Sequence, residues 1–240
     1  MTFSILARCA RTGQLGLAVA SYSVAIGLYT EAAVRPNVGV TFTQGNANPR
    51  NNRLALALLA QGHGPQHALR ELAGSDPDFD YRQVGIVDRE GRAEAHSGST
   101  LHAWTGHRSG PGYVALGEGL AGAQVLDAMT AAFGAEPEAD LDARLLRALE
   151  AGRDAGGLAG KAGRLPERSA ALVVWGVRDV SDLDLRVDLH DKAIDDLRGI
   201  YVDTKPTVAY YDERARDPRI AISGTEFTNR LKQRRAQEGS

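Results

Sequence analysis

One cysteine, Cys9, occurs in 240 residues, so no internal disulfide can form. The six histidines form neither an HxH nor an HExxH pattern, and with Cys9 they make no zinc spacing. No metal site is therefore expected, although an all-carboxylate site stays open at this point. No apolar run approaches the ~18 residues needed to cross a bilayer. No basic stretch precedes a hydrophobic signal core, so a cytoplasmic location is expected and a membrane partner is not. Charge of one sign is also lacking: 28 Lys and Arg stand against 30 Asp and Glu, a formal net charge of -2. Such a balance argues against nucleic acid as a partner. What is present is a 43% share of hydrophobic residues, enough to build a core.

A strand pattern begins almost at once. Phe3-Ser4-Ile5-Leu6-Ala7 reads as a strand, Arg11-Thr12-Gly13-Gln14 as a turn, and Leu15 to Ala20 as its partner. The second strand alternates large residues (Leu15, Leu17, Val19) with small ones (Gly16, Ala18, Ala20). A small-residue face lets a packed layer approach closely. A third strand, Val38 to Thr43, runs into a loop rich in Gly and Asn from Gln44 to Arg50. Two helices follow, Leu54 to Ala60 and Pro65 to Leu72, with Pro65 suited to a first helical turn. Tyr81 to His96 reads as a hairpin around Glu90-Gly91. Gly106 to Gly119 is expected to be a Gly-rich loop. Val125, Met129 and Phe133, then Leu141, Leu145 and Leu149, mark two amphipathic helices. Ala155 to Pro166 is expected to be another loop. Ser169 to Val177 pairs with Leu183 to Leu189, and Ala193 to Ile200 forms a short helix. Strands in antiparallel pairs and helices in pairs argue against a doubly wound parallel sheet. The expected class is α+β, a four-layer αββα sandwich over residues 1–201, followed by a polar C-terminal extension over 202–240.

Several stretches together resemble one family. They are Thr2-Phe3-Ser4-Ile5, Gly16 to Ser21, Thr43-Gln44 with Asn48-Pro49-Arg50, Tyr81-Arg82-Gln83, Ala148 to Gly152, Ser169 to Leu172, and Asp184 to Asp188 with His190. The chain resembles the domain-of-unknown-function family 1028 (DUF1028), placed in the N-terminal nucleophile (Ntn) hydrolase superfamily. The resemblance implies that Thr2, small enough for Met1 to be removed ahead of it, is a nucleophile. A threonine hydroxyl needs a base, and a free α-amine with a reference pKa near ~8 supplies one from the same residue. Ser4 shares the strand face of Thr2 and is expected to support the amine. Backbone N–H groups of Gln44, Gly45 and Asn46 would stabilise an oxyanion, with the Asn46 or Asn48 side chain as a further donor. Arg50 is a candidate for a substrate carboxylate, and Asp188 and His190 for contacts in the cleft. Each of these has a structural alternative, from a strand-start threonine to a turn built on Asn and Gly.

Two departures from the family pattern bear on the pocket. Leu158 stands where an acid is usual and Arg168 where Gln is usual. In addition, Glu118 replaces an Asn, and a carboxylate there would suit an amine-bearing substrate. The expected function is amidohydrolysis of a linear amide or N-acyl bond in a small molecule, without a cofactor and in a homo-oligomer. The competing reading is a non-catalytic oligomeric binding or scaffold protein that keeps the fold.

Overall fold

The computed structural model describes residues 1–101, 104–177, 181–219 and 222–238. Strands β1 (Thr2–Arg8) and β2 (Leu15–Ser21) form the first hairpin, with Thr2 opposite Ser21. Its turn uses Gly13 at φ +74°, a conformation glycine adopts without strain. After a 3-10 turn at Ile26–Thr30 come β3 (Val34–Arg35), β4 (Gly39–Gly45), α1 (Pro49–Ala60) and α2 (Pro65–Ser75). Next are β5 (Arg82–Asp88), β6 (Ala93–Ser97), β7 (Trp104–Gly110) and β8 (Tyr113–Leu120), then α3 (Ala123–Gly134) and α4 (Leu141–Asp154). The remaining elements are β9 (Leu158–Gly160), β10 (Gly163–Leu165), β11 (Ser169–Trp175), β12 (Ser181–Val187), α5 (Ala193–Arg216) and α6 (Gly224–Glu238).

The strands make two antiparallel sheets. The larger runs β10-β9-β8-β1-β2-β11-β12, with β7 also paired to β8, and the smaller runs β3-β4-β5-β6. Alternation along β1 decides what each side chain meets. Leu6 joins Leu15, Leu17, Val19, Val114 and Leu116 against Val40, Phe42 and Val87 of the smaller sheet. Phe3 and Ile5 point the other way and are fully buried on the α4 side. Burial of each such side chain contributes roughly 1.5–3 kcal/mol. The small face of β2 meets α4: a Cβ on Gly16 would lie 2.7 Å from Leu145 Cδ1. Across the smaller sheet, Val84 and Ile86 pack under Ala55, Leu56 and Leu59 of α1 and Ala68 and Leu72 of α2.

Three expectations need correction. Gly106 to Gly119 is not a loop but the hairpin β7–β8, and β8 is the direct neighbour of β1. Its glycines make room rather than flexibility. A Cβ on Gly117 would sit 2.2 Å from Leu120 Cδ1, and one on Gly110 would sit 2.5 Å from the Tyr113 ring. The stretch from Ala155 to Pro166 carries the short pair β9–β10. The helix expected at 193–200 continues to Arg216; Ala193, Ile194, Leu197 and Tyr201 are buried, and beyond them the helix is mostly solvated and leaves no continuous apolar stripe to read. The chain divides into two compact units, Met1–Arg198 and Gly199–Ser240. In the second, Tyr210 stacks on Phe227 at 4.2 Å and its hydroxyl donates to the Ile222 carbonyl at 2.9 Å. No helix among the described residues is long and apolar enough to cross a membrane.

Candidate active site

Thr2 opens the central strand of the large sheet and is 6% exposed. Its Oγ1 lies 2.9 Å from Ser21 Oγ on the paired strand. Ser21 Oγ donates to the Met1 carbonyl at 3.0 Å and accepts from the Ser23 N–H at 3.1 Å. Since the one Ser21 proton is spent on Met1, the Thr2 hydroxyl is the donor to Ser21. The Tyr22 N–H also reaches the Met1 carbonyl, at 3.1 Å. On the other side of β1, Thr2 pairs with Glu118 of β8. Glu118 is 8% exposed, and its Oε2 lies 3.1 Å from the α-nitrogen of Met1.

Beneath Thr2, a chain of neutral polar groups crosses between the sheets. Ser4 Oγ donates to Gln44 Oε1 at 2.7 Å. Gln44 Nε2 donates to the Thr2 carbonyl at 3.0 Å and to Gln83 Oε1 at 2.7 Å, which uses both of its protons. Gln83 Nε2 in turn reaches Ser97 Oγ at 2.8 Å and the Gly106 and Gly117 carbonyls at 2.9 and 3.1 Å. Ser97 Oγ lies 2.9 Å from His107 Nδ1. Because Ser97 already accepts from Gln83, its proton is free for that nitrogen. Burial, then the neighbouring His96 and Arg108, push His107 below the ordinary histidine value. Both facts favour neutral His107 with Nδ1 as acceptor.

A cavity of about 150 Å³ opens beside Thr2. Val24, Ile26 and Tyr29 give it an apolar side, and Ser23, Gln44 and Gly45 a polar one. Among the described residues no charged side chain lines it. A larger cavity of about 380 Å³, lined by Arg153, Arg164, Glu167 and Asp195 among others, does not include Thr2. Both of its arginines are already paired, Arg153 with Asp154 and Asp195 and Arg164 with Glu167, and the smaller cavity, which adjoins Thr2, carries the chemical interest.

Of the residues singled out in the sequence, Thr2, Ser4, Gln44, Gly45 and Glu118 come together. Ser4 meets Gln44 rather than the terminal amine. The Asn46 side chain is exposed, its N–H is spent on the Tyr81 carbonyl at 3.1 Å, and its own carbonyl accepts from Arg82. Asn48 caps α1, accepting from the Arg50 N–H at 3.2 Å, and its Nδ2 donates to Asp76 at 3.1 Å. That cap starts α1 at Pro49, five residues before the expected Leu54. Arg50 is exposed on the first turn of α1. Asp188 is exposed and offers its main-chain carbonyl to Ala25, while His190 is exposed with Nδ1 2.8 Å from Asp196 Oδ2. Neither Asp188 nor His190 lines the Thr2 cavity. Ser21, Gln83, Ser97 and Gly119 are not singled out for a role in the sequence, where His107, with His96 and His190, is weighed for acid–base work and read as structural. Ser21 and Gln83 lay within stretches that carried the family resemblance, which was the one signal for them. Among the described residues, no group of three or more His, Cys, Asp or Glu is placed to hold a metal ion.

The family model described as a family of unknown function, DUF1028, matches residues 2–197. The chain belongs to DUF1028. It is similar to the crystal structure of a DUF1028 protein from Silicibacter pomeroyi, at 31% identity over 85% of this chain and 89% of that one, with a TM-score of 0.75. None of the curated proteins matches the chain. In this DUF1028 member the matched span covers both sheets and the whole surroundings of Thr2, and ends just inside the first compact unit.

Proposed function

We propose that this chain is a cytoplasmic amidohydrolase of the Ntn type, built on the four-layer αββα sandwich, which cleaves a linear amide in a small molecule with Thr2 as nucleophile. One observation carries the reading. Thr2 is buried at the wall of a cavity that no charged side chain lines among the described residues, and a single residue, Met1, separates Thr2 from a free α-amine. With Met1 removed, the Thr2 Oγ1 proton passes to that amine as Oγ1 bonds to the substrate carbonyl carbon. The carbon–nitrogen bond then breaks, and the ammonium returns the proton to the departing amine. Water repeats the sequence on the ester, releasing the acid and restoring Thr2. Donors for the oxyanion differ from those read in the sequence, because the Asn46 N–H is occupied. Ser21 Oγ and the Tyr22 N–H already converge on the carbonyl next to Thr2, at 3.0 and 3.1 Å, and suit that task. Gln44 and Gln83 fix the Thr2 carbonyl and so the start of β1.

A second reading, a homo-oligomeric binding protein without chemistry, draws on the anchoring of Met1 by Glu118, Ser21 and Tyr22. A retained Met1 leaves no free amine on Thr2. Release of amine from a panel of small amides separates the two. The hydrolase reading expects turnover by protein lacking Met1 and none by Thr2→Ala. Equal rates in both proteins contradict it.

A further inference from the structure

Met1 occupies its place as an aminoacyl group would. Its α-ammonium faces Glu118 Oε2 at 3.1 Å, and its carbonyl accepts from Ser21 Oγ at 3.0 Å and from the Tyr22 N–H at 3.1 Å. Its side chain lies over Gly119, where a Cβ would sit 2.2 Å from Met1 Cγ and 2.8 Å from Met1 Sδ. Ammonium, carbonyl and side chain therefore each have their own partner, and the carbonyl carbon is bonded directly to the nitrogen of Thr2. Met1 lines the cavity beside Thr2 and Glu118 does not; among the described residues no charged side chain lines that cavity, and Glu118 is the ionic group that faces Met1.

We propose that, after Met1 is removed, this seat receives the acyl half of the substrate. The substrate class is then an α-aminoacyl amide with a free ammonium group and an unbranched apolar side chain. This inference rests on the hydrolase reading above and narrows it. A neutral acyl group would cover the Glu118 carboxylate and offer it no charge, and an acidic one would add a like charge beside it. An α-ammonium satisfies Glu118, as the Met1 ammonium does here. The ester forms between Thr2 Oγ1 and the aminoacyl carbonyl, the amine leaves with one proton, and water gives the free α-amino acid. Gly119, at φ +70°, keeps the side-chain slot open; any Cβ there would fill it.

Binding to Thr2→Ala protein, confirmed by mass to lack Met1, tests the seat apart from any turnover. The probes are L-methioninamide and N-acetyl-L-methioninamide, followed by calorimetry. The free amine is expected to bind on the order of 10- to 100-fold more tightly, the weight of a hydrogen bond to a charged group. Adding Glu118→Gln is expected to erase that difference. Gly119→Ala is expected to weaken L-methioninamide while sparing glycinamide. Equal binding of the two methionine amides, or binding of neither, overturns the proposal, as happens if the Thr2 α-amine itself takes Glu118. This ligand pair decides the matter even where Glu118→Gln or Gly119→Ala fails to fold. Hydrolysis by the Thr2 protein is read separately. Discrimination without turnover keeps the aminoacyl seat and removes the hydrolase reading. Turnover that favours neutral amides keeps the hydrolase and removes the seat.

Discussion

Two buried polar clusters flank β4 and β5, and they are built on opposite plans. At one, Asp76 accepts from Asn48 Nδ2, Asn51 Nδ2 and Arg82 Nε at 3.0–3.1 Å and from the Asp78 N–H at 3.1 Å. Every partner there is a permanent part of the fold, joining the start of α1 to the end of α2 and the start of β5. At the other, Ser4, Gln44, Gln83, Ser97 and His107 form a neutral chain that ends under Thr2. The carboxylate beside that chain, Glu118, is ion-paired with the ammonium of Met1. A saturated charge has a structural task. A charge whose partner is a removable residue is suited to meeting something else.

The largest effect expected from breaking the comparison is on stability at Asp76. Burial acts to raise its pKa, but the hydrogen bonds from Arg82, Asn51 and Asn48 outweigh burial and hold this carboxyl well below the usual range. Asp76→Ala should cost about 3–5 kcal/mol in denaturant unfolding, since Arg82 is left without its buried partner. The sign with pH follows from the depressed value. The stability Asp76 supplies is full above the unfolded carboxylate value of about 4, and is lost as pH falls toward the folded one. In Asp76→Ala that part of the acid limb should flatten.

Gln83→Leu comes next. It takes one of two acceptors from Gln44 Nε2 and the donor from Ser97 Oγ, and removes donors from the Gly106 and Gly117 carbonyls. A loss of roughly 1–3 kcal/mol is expected. If the neutral chain positions Thr2, kcat on a working substrate falls further than KM rises, and Gln83→Glu at low pH recovers part of it. A change in stability alone would make this cluster structural too. The smallest effect is at His107. Its folded value is pushed down, so the unfolded chain takes up the proton first. The stability tied to neutral His107 is present above about pH 6.5 and declines as pH falls through that value. His107→Gln should reduce this decline between pH 7 and 5, measured by thermal unfolding across the range.

How much of this was legible in the sequence depends on whether a feature is local. Alternation on β2 announced both of its faces, and the Gly16 side does receive α4. The i, i+4 spacing of Val125, Met129 and Phe133 marked α3, all three being buried. The hairpin β7–β8 was hidden because glycine reads as a breaker, whereas here Gly110 and Gly117 make room for Tyr113 and Leu120. Thr2 is visible as the start of a strand, but Gln44 reads as the opening of a loop, whereas the structure keeps it and Gly45 inside β4. Their link through Ser4 was not visible, since it depends on sheet stacking. Gln83, Ser97 and His107 were invisible as a unit because β5, β6 and β7 bring them together only after folding. Asn48 and Arg50 looked like binding residues because a helix cap and a ligand loop draw on the same residue types.

The central claim is that Thr2 becomes a working N-terminal nucleophile, and intact-protein mass spectrometry tests it most directly. The purified protein is weighed before and after exposure to an electrophilic acylating probe, beside Thr2→Ala. A working Thr2 nucleophile gives a mass lacking Met1, one added acyl group on the Thr2 protein, and none on the variant. A retained Met1 with no adduct, or an adduct that persists in Thr2→Ala, would contradict it.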